Sequence, residues 1–427
     1  MIVSRAESTA LSTAPSSTLA SRFHRPRSLW LSFAVLHLLI LGLLMPLILS
    51  GQVLSDISFY RQWAFDGIDH GLWRGISVEW VYPVGALLPI VLAAGFGGFL
   101  YQLGWFVLFT ILNFIGVWFL TRSRSEPGYY AAYWWMGATA ILGTVAVGRI
   151  DGMTAPMVIV GLLLLTARPY LAAAILSLAT WIKVWPAAVL FAIVVASRQR
   201  LKVIVSGLLV TAVVVAVVLA GGGARFLLGF LNAQGGRGMQ LEAPFTTPGL
   251  WQAIFQQNGA YVFEDTVINT REVRGGMSEA VGSVMNPLLA IAAIVIVVLL
   301  LWALRRGADV QNLIIAGSLA LVASFIVFNK VGSPQFQLWL AAIVAVGLFY
   351  AKEQWRFPGY LMLAIAVLTT LVYPIFYVQL YELNPWIAVI LSLRNLAVVV
   401  LLGWAIREVV RLARGSGAAQ RAQPPLG

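Results

Sequence analysis

The stretch LWLSFAVLHLLILGLLMPLILS, from Leu29 to Ser50, contains no aspartate, glutamate, lysine or arginine. About 20 apolar residues are enough for a helix to cross the hydrocarbon core of a bilayer, which is about 30 Å thick. Similar runs recur along the chain, which is 60% hydrophobic and only 10% charged, whereas soluble domains are roughly 25% charged. No small-residue cleavage site follows the first run, so it is interpreted as a retained span. The sequence therefore predicts an all-α polytopic membrane protein.

The hydropathy pattern predicts about twelve transmembrane helices. The apolar stretch 82–98 is short and contains Pro89, so we interpret it as a re-entrant or juxtamembrane element of the first outer loop. Two half-length spans on either side of Lys183 are also unlike an ordinary lipid-facing hairpin. The predicted spans are 29–50, 100–121, 129–147, 153–167, 169–182, 185–197, 201–221, 286–304, 311–328, 336–350, 358–378 and 385–406.

The distribution of basic residues orients these spans. With both termini in the cytoplasm, every short inner loop is basic, as the positive-inside rule requires. The chain then divides into a disordered basic leader (1–28), a transmembrane catalytic domain (29–406) and a basic tail (407–427). Two outer loops are long, 51–99 and a part-helical 222–285. The net charge of +12 is thus explained by membrane topology, and no nucleic-acid partner is expected.

Some site chemistries are excluded by composition. The chain has no cysteine and three scattered histidines, so neither a thiol nucleophile nor a Cys/His metal site is expected. No Walker A motif is present, and we expect no cofactor.

In this topology, ionisable residues from distant parts of the chain gather near the outer membrane boundary. Charges at such depths are costly and usually face a cavity. A carboxylate suits a general base, and lysine or arginine suits a phosphate group. The combination predicts a site for a lipid-phosphate donor and a hydroxyl acceptor. Its members are Asp56, Arg149, Asp151, Lys183, Lys330 and Arg394.

Simpler interpretations exist for several of these polar residues. Asp66, Asp69 and His70 are most simply the solvated face of an amphipathic helix. Lys183 has the alternative of a snorkelling anchor, and Arg394 that of a helix-packing ion pair.

Five segments in order resemble glycosyltransferase family 87 of the GT-C superfamily. That family includes actinobacterial polyprenol-phosphate-mannose-dependent α-1,2-mannosyltransferases of phosphatidylinositol mannoside and lipomannan synthesis. One departure is Val84, which follows Pro83 where many relatives have a second proline. The segments are SDISFYRQWA, VEWVYPVGALL, GRIDGMTAPMVIVGLLLLTARPYLAAAILSLATWIKVWPAAVLF, VGSPQFQLWLAA and LSLRNLAVVVLL.

The resemblance implies roles for the residues at matching positions. Asp56 is the implied catalytic base, with Glu79 as a rival and Asp151 as a possible second acid. The candidate ligands of the donor phosphate are Lys183, Lys330 and Arg394, and the candidate substrate-binding residues are Tyr60, Trp80, Tyr82 and Gln335; among these, Lys183, Arg394, Tyr82 and Gln335 match positions of the family.

The expected function is transfer of a sugar, mannose, from a polyprenyl-phosphate donor to a glycolipid acceptor. The reaction inverts the configuration at the anomeric carbon of the sugar and needs no metal. It takes place on the outer face of the plasma membrane during envelope synthesis. The expected partners are the donor, the acceptor and membrane lipid, and the oligomeric state is left open. A polyprenyl-lipid flippase or transporter and a non-catalytic assembly subunit are the alternatives.

Overall fold

The computed structural model of the chain describes residues 26–232, 238–266 and 270–421. The predicted leader up to residue 25 and the end of the predicted tail, 422–427, lie outside the described residues.

The first half of the fold is helical. Each helix is built from an apolar run, and the loops between helices carry the glycine, proline and charged residues that end them. The helices are α1 (Pro26–Leu49), α2 (Ile57–His70), α3 (Leu87–Ala94), α4 (Tyr101–Thr121), α5 (Glu126–Leu142), α6 (Thr144–Val147), α7 (Asp151–Leu164), α8 (Pro169–Ile182), α9 (Pro186–Ala196) and α10 (Arg200–Ala220).

The second half begins with a segment of short elements and ends in long helices. The short elements are α11 (Gly229–Asn232), α12 (Thr247–Ile254), β1 (Tyr261–Asp265) and β2 (Thr270–Arg274). The remaining helices are α13 (Met277–Arg305), α14 (Val310–Val327), α15 (Phe336–Thr370), α16 (Tyr377–Tyr381) and α17 (Pro385–Arg421).

This architecture confirms the predicted all-α polytopic membrane protein. Within the described ranges, 7 helices are long and apolar enough to cross a membrane. Every predicted span coincides with a helix, but four of these helices are shorter than 18 residues, the length of the shortest of the 7 candidate spans. These four are α5, α7, α8 and α9.

A break in α15 separates two of the predicted spans. Ala351 has non-helical angles of φ −147° and ψ 59°, so the spans predicted at 336–350 and 358–378 correspond to two helical segments that meet at this residue. The predicted juxtamembrane stretch 82–98 contains only a 3-10 turn and the 8-residue α3. At about 1.5 Å per residue, α3 is too short to cross a bilayer.

The helices differ in how much of their surface the protein covers. In α14, 78% of the apolar window is buried, whereas only 17% is buried in both α10 and α13. Strongly apolar helices that are exposed in this way fit a lipid-facing periphery. The buried α14 and the first part of α15 therefore form the centre of the bundle.

A small sheet in the segment before α13 is the main exception to the helical architecture. Strand β1 pairs antiparallel with β2, with Tyr261 opposite Arg274. Met239 and Leu241 then extend the sheet by backbone hydrogen bonds to β2. The backbone N–H of Gln240 donates to the carbonyl of Lys330 at 2.9 Å, which ties this segment to the loop before α15. The part-helical loop expected at 222–285 thus also contains strands.

Candidate active site

The site is centred on the turn Gly148–Asp151, between α6 and α7. A sharp approach of backbone here requires glycine: a Cβ added at Gly152 would lie 2.0 Å from the carbonyl oxygen of Ala146. The turn brings two opposite charges, Arg149 and Asp151, within three residues of each other. Each pairs with a charge from a different part of the chain.

Asp56 forms the first ion pair, with Arg149. Asp56 is the N-cap residue of α2, yet its carboxylate does not cap that helix. The Arg149 guanidinium also donates to the hydroxyl of Tyr373 at 3.0 Å and lies 5.6 Å from the centroid of its ring. The same hydroxyl is 3.2 Å from the Oγ of Ser55, the residue before Asp56. The predicted base is therefore held by an arginine that is itself fixed by a tyrosine.

Asp151 forms the second pair, with Lys183. The Asp151 side chain is 1% exposed. Its Oδ1 accepts a 2.7 Å hydrogen bond from the indole N–H of Trp339, and its Oδ2 is 3.7 Å from the Lys183 ammonium. Burial and these two neighbours leave Asp151 poorly placed to act as a base. Lys183 lies at the junction of α8 and α9, with its Nζ 4.2 Å from the centroid of the Tyr82 ring.

Aromatic side chains cluster beside Lys183. Trp63, Trp80 and Tyr82 have ring centroids 5.4 to 5.9 Å apart. The buried hydroxyl of Tyr60 accepts from the backbone N–H of Ile150, in the central turn, at 3.4 Å. Burial, followed by neighbouring Tyr82 and then Asp151, raises the pKa of Tyr60, so its phenol stays protonated. Three of the predicted substrate-binding residues thus lie together beside a predicted phosphate ligand.

The Nε1 of Trp80 is buried and has no hydrogen-bond partner among the described residues. A buried N–H normally finds a partner, so this donor is available to a polar group that enters the cluster. Gln335 presents a comparable acceptor, since its buried Oε1 is also unpaired within the described part of the chain.

Arg394 forms a third ion pair, with Glu242. One nitrogen of the Arg394 guanidinium donates to the backbone carbonyl of Glu242 at 3.1 Å and lies 3.3 Å from its carboxylate. Both side chains are buried. Burial raises the pKa of Glu242 to about 7, against the opposing influence of Arg394 and then Arg149. Glu242 is therefore electrostatically linked to the first pair through Arg149.

The other predicted residues occupy different surroundings. Glu79 is exposed and lies beside Gly229, and it makes no hydrogen bond or ion pair with a described residue. Lys330 contributes its carbonyl to the Gln240 hydrogen bond, and its partly exposed ammonium has no such partner in the described ranges. Asp66 pairs with Arg74 at 3.1 Å, so it is not simply a solvated acid.

Sequence reasoning named Arg149 without a role and missed Tyr373, Trp339 and Glu242. The available signal for Glu242 was a single acid between apolar neighbours in MQLEAPF, Met239–Phe245. Among the described residues, no group of three His, Cys, Asp or Glu side chains is placed to hold a metal ion.

Comparison with known proteins supports a family assignment. The model of glycosyltransferase family 87 matches residues 80–248, a region that contains Tyr82, Asp151, Lys183 and Glu242. No curated protein and no solved structure matches significantly, so the GT-C architecture stays a prediction. The match over residues 80–248 and the polytopic helical fold agree with the resemblance seen in the sequence, and together they support membership of glycosyltransferase family 87.

Proposed function

We propose that this protein transfers mannose from a polyprenyl-phosphate donor to a hydroxyl of a glycolipid acceptor. The observation that carries the proposal is the placement of Asp56, a partly exposed carboxylate that pairs with Arg149 of the central turn. Asp151 of the same turn pairs with Lys183, which lies against the aromatic cluster. A base, a phosphate ligand and a sugar-stacking surface are the three parts that such a transfer needs.

The proposed step is a single displacement. The acceptor oxygen forms a bond to C1 of the sugar while the bond from C1 to the phosphate oxygen breaks. Asp56 takes the proton of the acceptor hydroxyl, and the electron pair of the broken bond leaves on the polyprenyl phosphate. Because the acceptor attacks from the face opposite the phosphate, a β-linked donor gives an α-linked product.

Cations stabilise the charge that develops on the leaving phosphate. Lys183 is the best placed, since its ammonium lies over Tyr82 and is 3.7 Å from its carboxylate partner. Lys330 is proposed as a second ligand. Arg394, which is buried against Glu242, contributes positive potential without a direct contact. These fixed charges let the proposed reaction proceed without a metal.

The sugar has a natural place in the aromatic cluster. Tyr60, Trp80 and Tyr82 offer ring faces and the unpaired indole N–H of Trp80, and Gln335 offers an amide. Aromatic rings beside polar groups suit the apolar and hydroxylated faces of a pyranose.

We further propose that the site faces the outside of the plasma membrane, with both termini in the cytoplasm. Arginines in the loops between the predicted spans support this orientation; among them are Arg122, Arg168, Arg198 and Arg305. In this arrangement residues 29–406 are the catalytic domain, and the product enters envelope glycolipids of the phosphatidylinositol mannoside and lipomannan type.

A transfer assay tests the proposal. Purified protein is mixed with radiolabelled polyprenyl-phosphate-mannose and a membrane-lipid extract, without ATP. We expect label in a glycolipid product, and a loss of about 100-fold or more in Asp56→Asn, since a general base contributes about 10²- to 10⁴-fold. Asp69→Asn, an exposed acid on the same helix, is the matched control and keeps activity.

Two results would contradict the proposal. Full activity in Asp56→Asn would show that this residue is not the base, and Glu79→Gln would be tested next. Redistribution of the labelled lipid between leaflets without any product would identify a flippase instead.

A further inference from the structure

Arg149 is bound to the carboxylate of Asp56, the base on which the proposed reaction depends. It forms an ion pair with one oxygen of Asp56, and a carboxylate that is stabilised by a guanidinium is a weaker acceptor for the proton of a hydroxyl. The pair is accessible, with side chains 12% exposed for Arg149 and 25% exposed for Asp56. Because both side chains remain within reach of solvent, an incoming anion can compete with the carboxylate for the guanidinium.

Other contacts hold Arg149 in position when its ion pair with Asp56 is broken. Tyr373 accepts one of its N–H groups and lies beneath its guanidinium. Arg149 also contributes to lowering the pKa of Glu242, against the larger effect of burial, so the positive charge of Arg149 is felt beyond its pair with Asp56. An arginine that is also held by a tyrosine is suited to exchange its carboxylate partner for another anion.

The incoming anion has an evident chemistry. Arginine binds phosphate through two parallel N–H donors. Lys183, the other cation tied to the central turn, is held by Asp151 at 3.7 Å, beyond direct hydrogen-bond distance. Arg149 belongs to the central turn and Lys183 is tied to it through Asp151, so a phosphate that binds beside this turn has two cations available to it.

We propose that Arg149 is an exchange residue: its guanidinium passes from Asp56 to the phosphate of the lipid donor, and this transfer frees Asp56 to act as the base. The inference rests on the function proposed above. It makes the base available only when the donor is bound. As the bond from C1 to oxygen breaks, the phosphodiester with one negative charge becomes a monoester that gains a second, so the contact with Arg149 strengthens along the reaction.

Binding of the product lipid separates exchange from catalysis. The protein is placed in phosphatidylcholine nanodiscs, and binding of a polyprenyl phosphate is measured without any acceptor. Loss of charge-assisted hydrogen bonds predicts about 10-fold weaker binding in Arg149→Gln. Removal of the competing carboxylate in Asp56→Asn predicts binding about two- to five-fold tighter.

The double variant gives the sharpest readout. If Asp56 and the phosphate compete for the same guanidinium, Asp56→Asn has no effect once Arg149 is Gln. A simple structural ion pair predicts instead that Asp56→Asn weakens binding or leaves it unchanged, and either result overturns the proposal. Asp69→Asn leaves the affinity unchanged, which controls for the general loss of a negative charge.

Two further arms keep the test decisive. If Arg149→Gln does not fold, Arg149→Lys replaces it and gives intermediate binding, because it keeps the charge but not the paired donors. Wild-type binding without sugar transfer would refute the proposed function alone. Sugar transfer by the wild type with no tightening in Asp56→Asn would refute the exchange alone.

Discussion

Replacement of Glu242 by glutamine is expected to change how the stability of the protein depends on pH. In the native state burial raises the pKa of Glu242 to about 7 from its ordinary value of 4.5. Between these two values the folded protein binds the proton more readily than the unfolded chain does. Stability from this group is therefore fully present below about pH 4.5, falls as the pH rises to about 7, and is constant above it.

The size of the effect follows from the shift. One pKa unit corresponds to about 1.4 kcal/mol, so the difference between about 7 and 4.5 amounts to about 3 kcal/mol in the free energy of unfolding. Glutamine does not titrate, so the variant lacks this slope. Glutamine resembles the protonated acid that the folded protein holds below about pH 7, but it also changes the hydrogen-bonding partner of the buried Arg394, which alters stability independently of titration. The prediction therefore concerns the slope rather than the absolute stability.

Thermal unfolding of the detergent-solubilised protein measures this slope. Wild type and Glu242→Gln are compared from pH 4.5 to 8, and the shared titrations of other acids cancel in the difference between the two melting temperatures. We expect the melting temperature of the wild type to fall relative to that of the variant as the pH rises, and this change to end near pH 7. A difference that is flat across this range, or that moves in the opposite direction, would refute the account of Glu242 as a buried acid.

Two other substitutions test the site and the turn that supports it. Lys183→Met is expected to raise the KM for the donor about 10-fold or more and to lower transfer, because it removes a charged phosphate ligand; the exposed Lys202→Met is the control, and equal effects in both would contradict the role. Gly152→Ala is expected to lower the free energy of unfolding by about 1–3 kcal/mol, since the added Cβ has no room. Gly137→Ala, where nothing lies within 4 Å of the added Cβ, is its control in a thermal melt.

The helices were predictable from the sequence because apolar runs report directly on helices in a membrane. Asp56 was predictable as a candidate because an acid just beyond a span is conspicuous. Its pairing with Arg149 was not predictable, since the two residues lie far apart in the chain and any of several cations was a possible partner. The break at Ala351 was predictable, because Lys352, Glu353 and Arg356 interrupt the apolar pattern and separate the spans predicted at 336–350 and 358–378.

Glu242 shows the opposite difficulty. It belongs to a loop with no recognised motif, and its importance arises from burial against Arg394, a residue of the last helix. The strands around it were missed because they are short and follow several glycine and proline residues. Tertiary contacts rather than local propensity decide such segments.

The central turn places an arginine and an aspartate two positions apart, and each reaches a different partner. The number of residues between Arg149 and Asp151 is therefore constrained by the two ion pairs. One residue inserted or deleted there would rotate one charge away from its partner and leave Asp56 or Lys183 unmatched. By contrast, the loop at Gly259 has open space around its added Cβ and is a more permissive place for added residues. Length changes among related chains are expected to accumulate in such outer loops and to be absent from the turn.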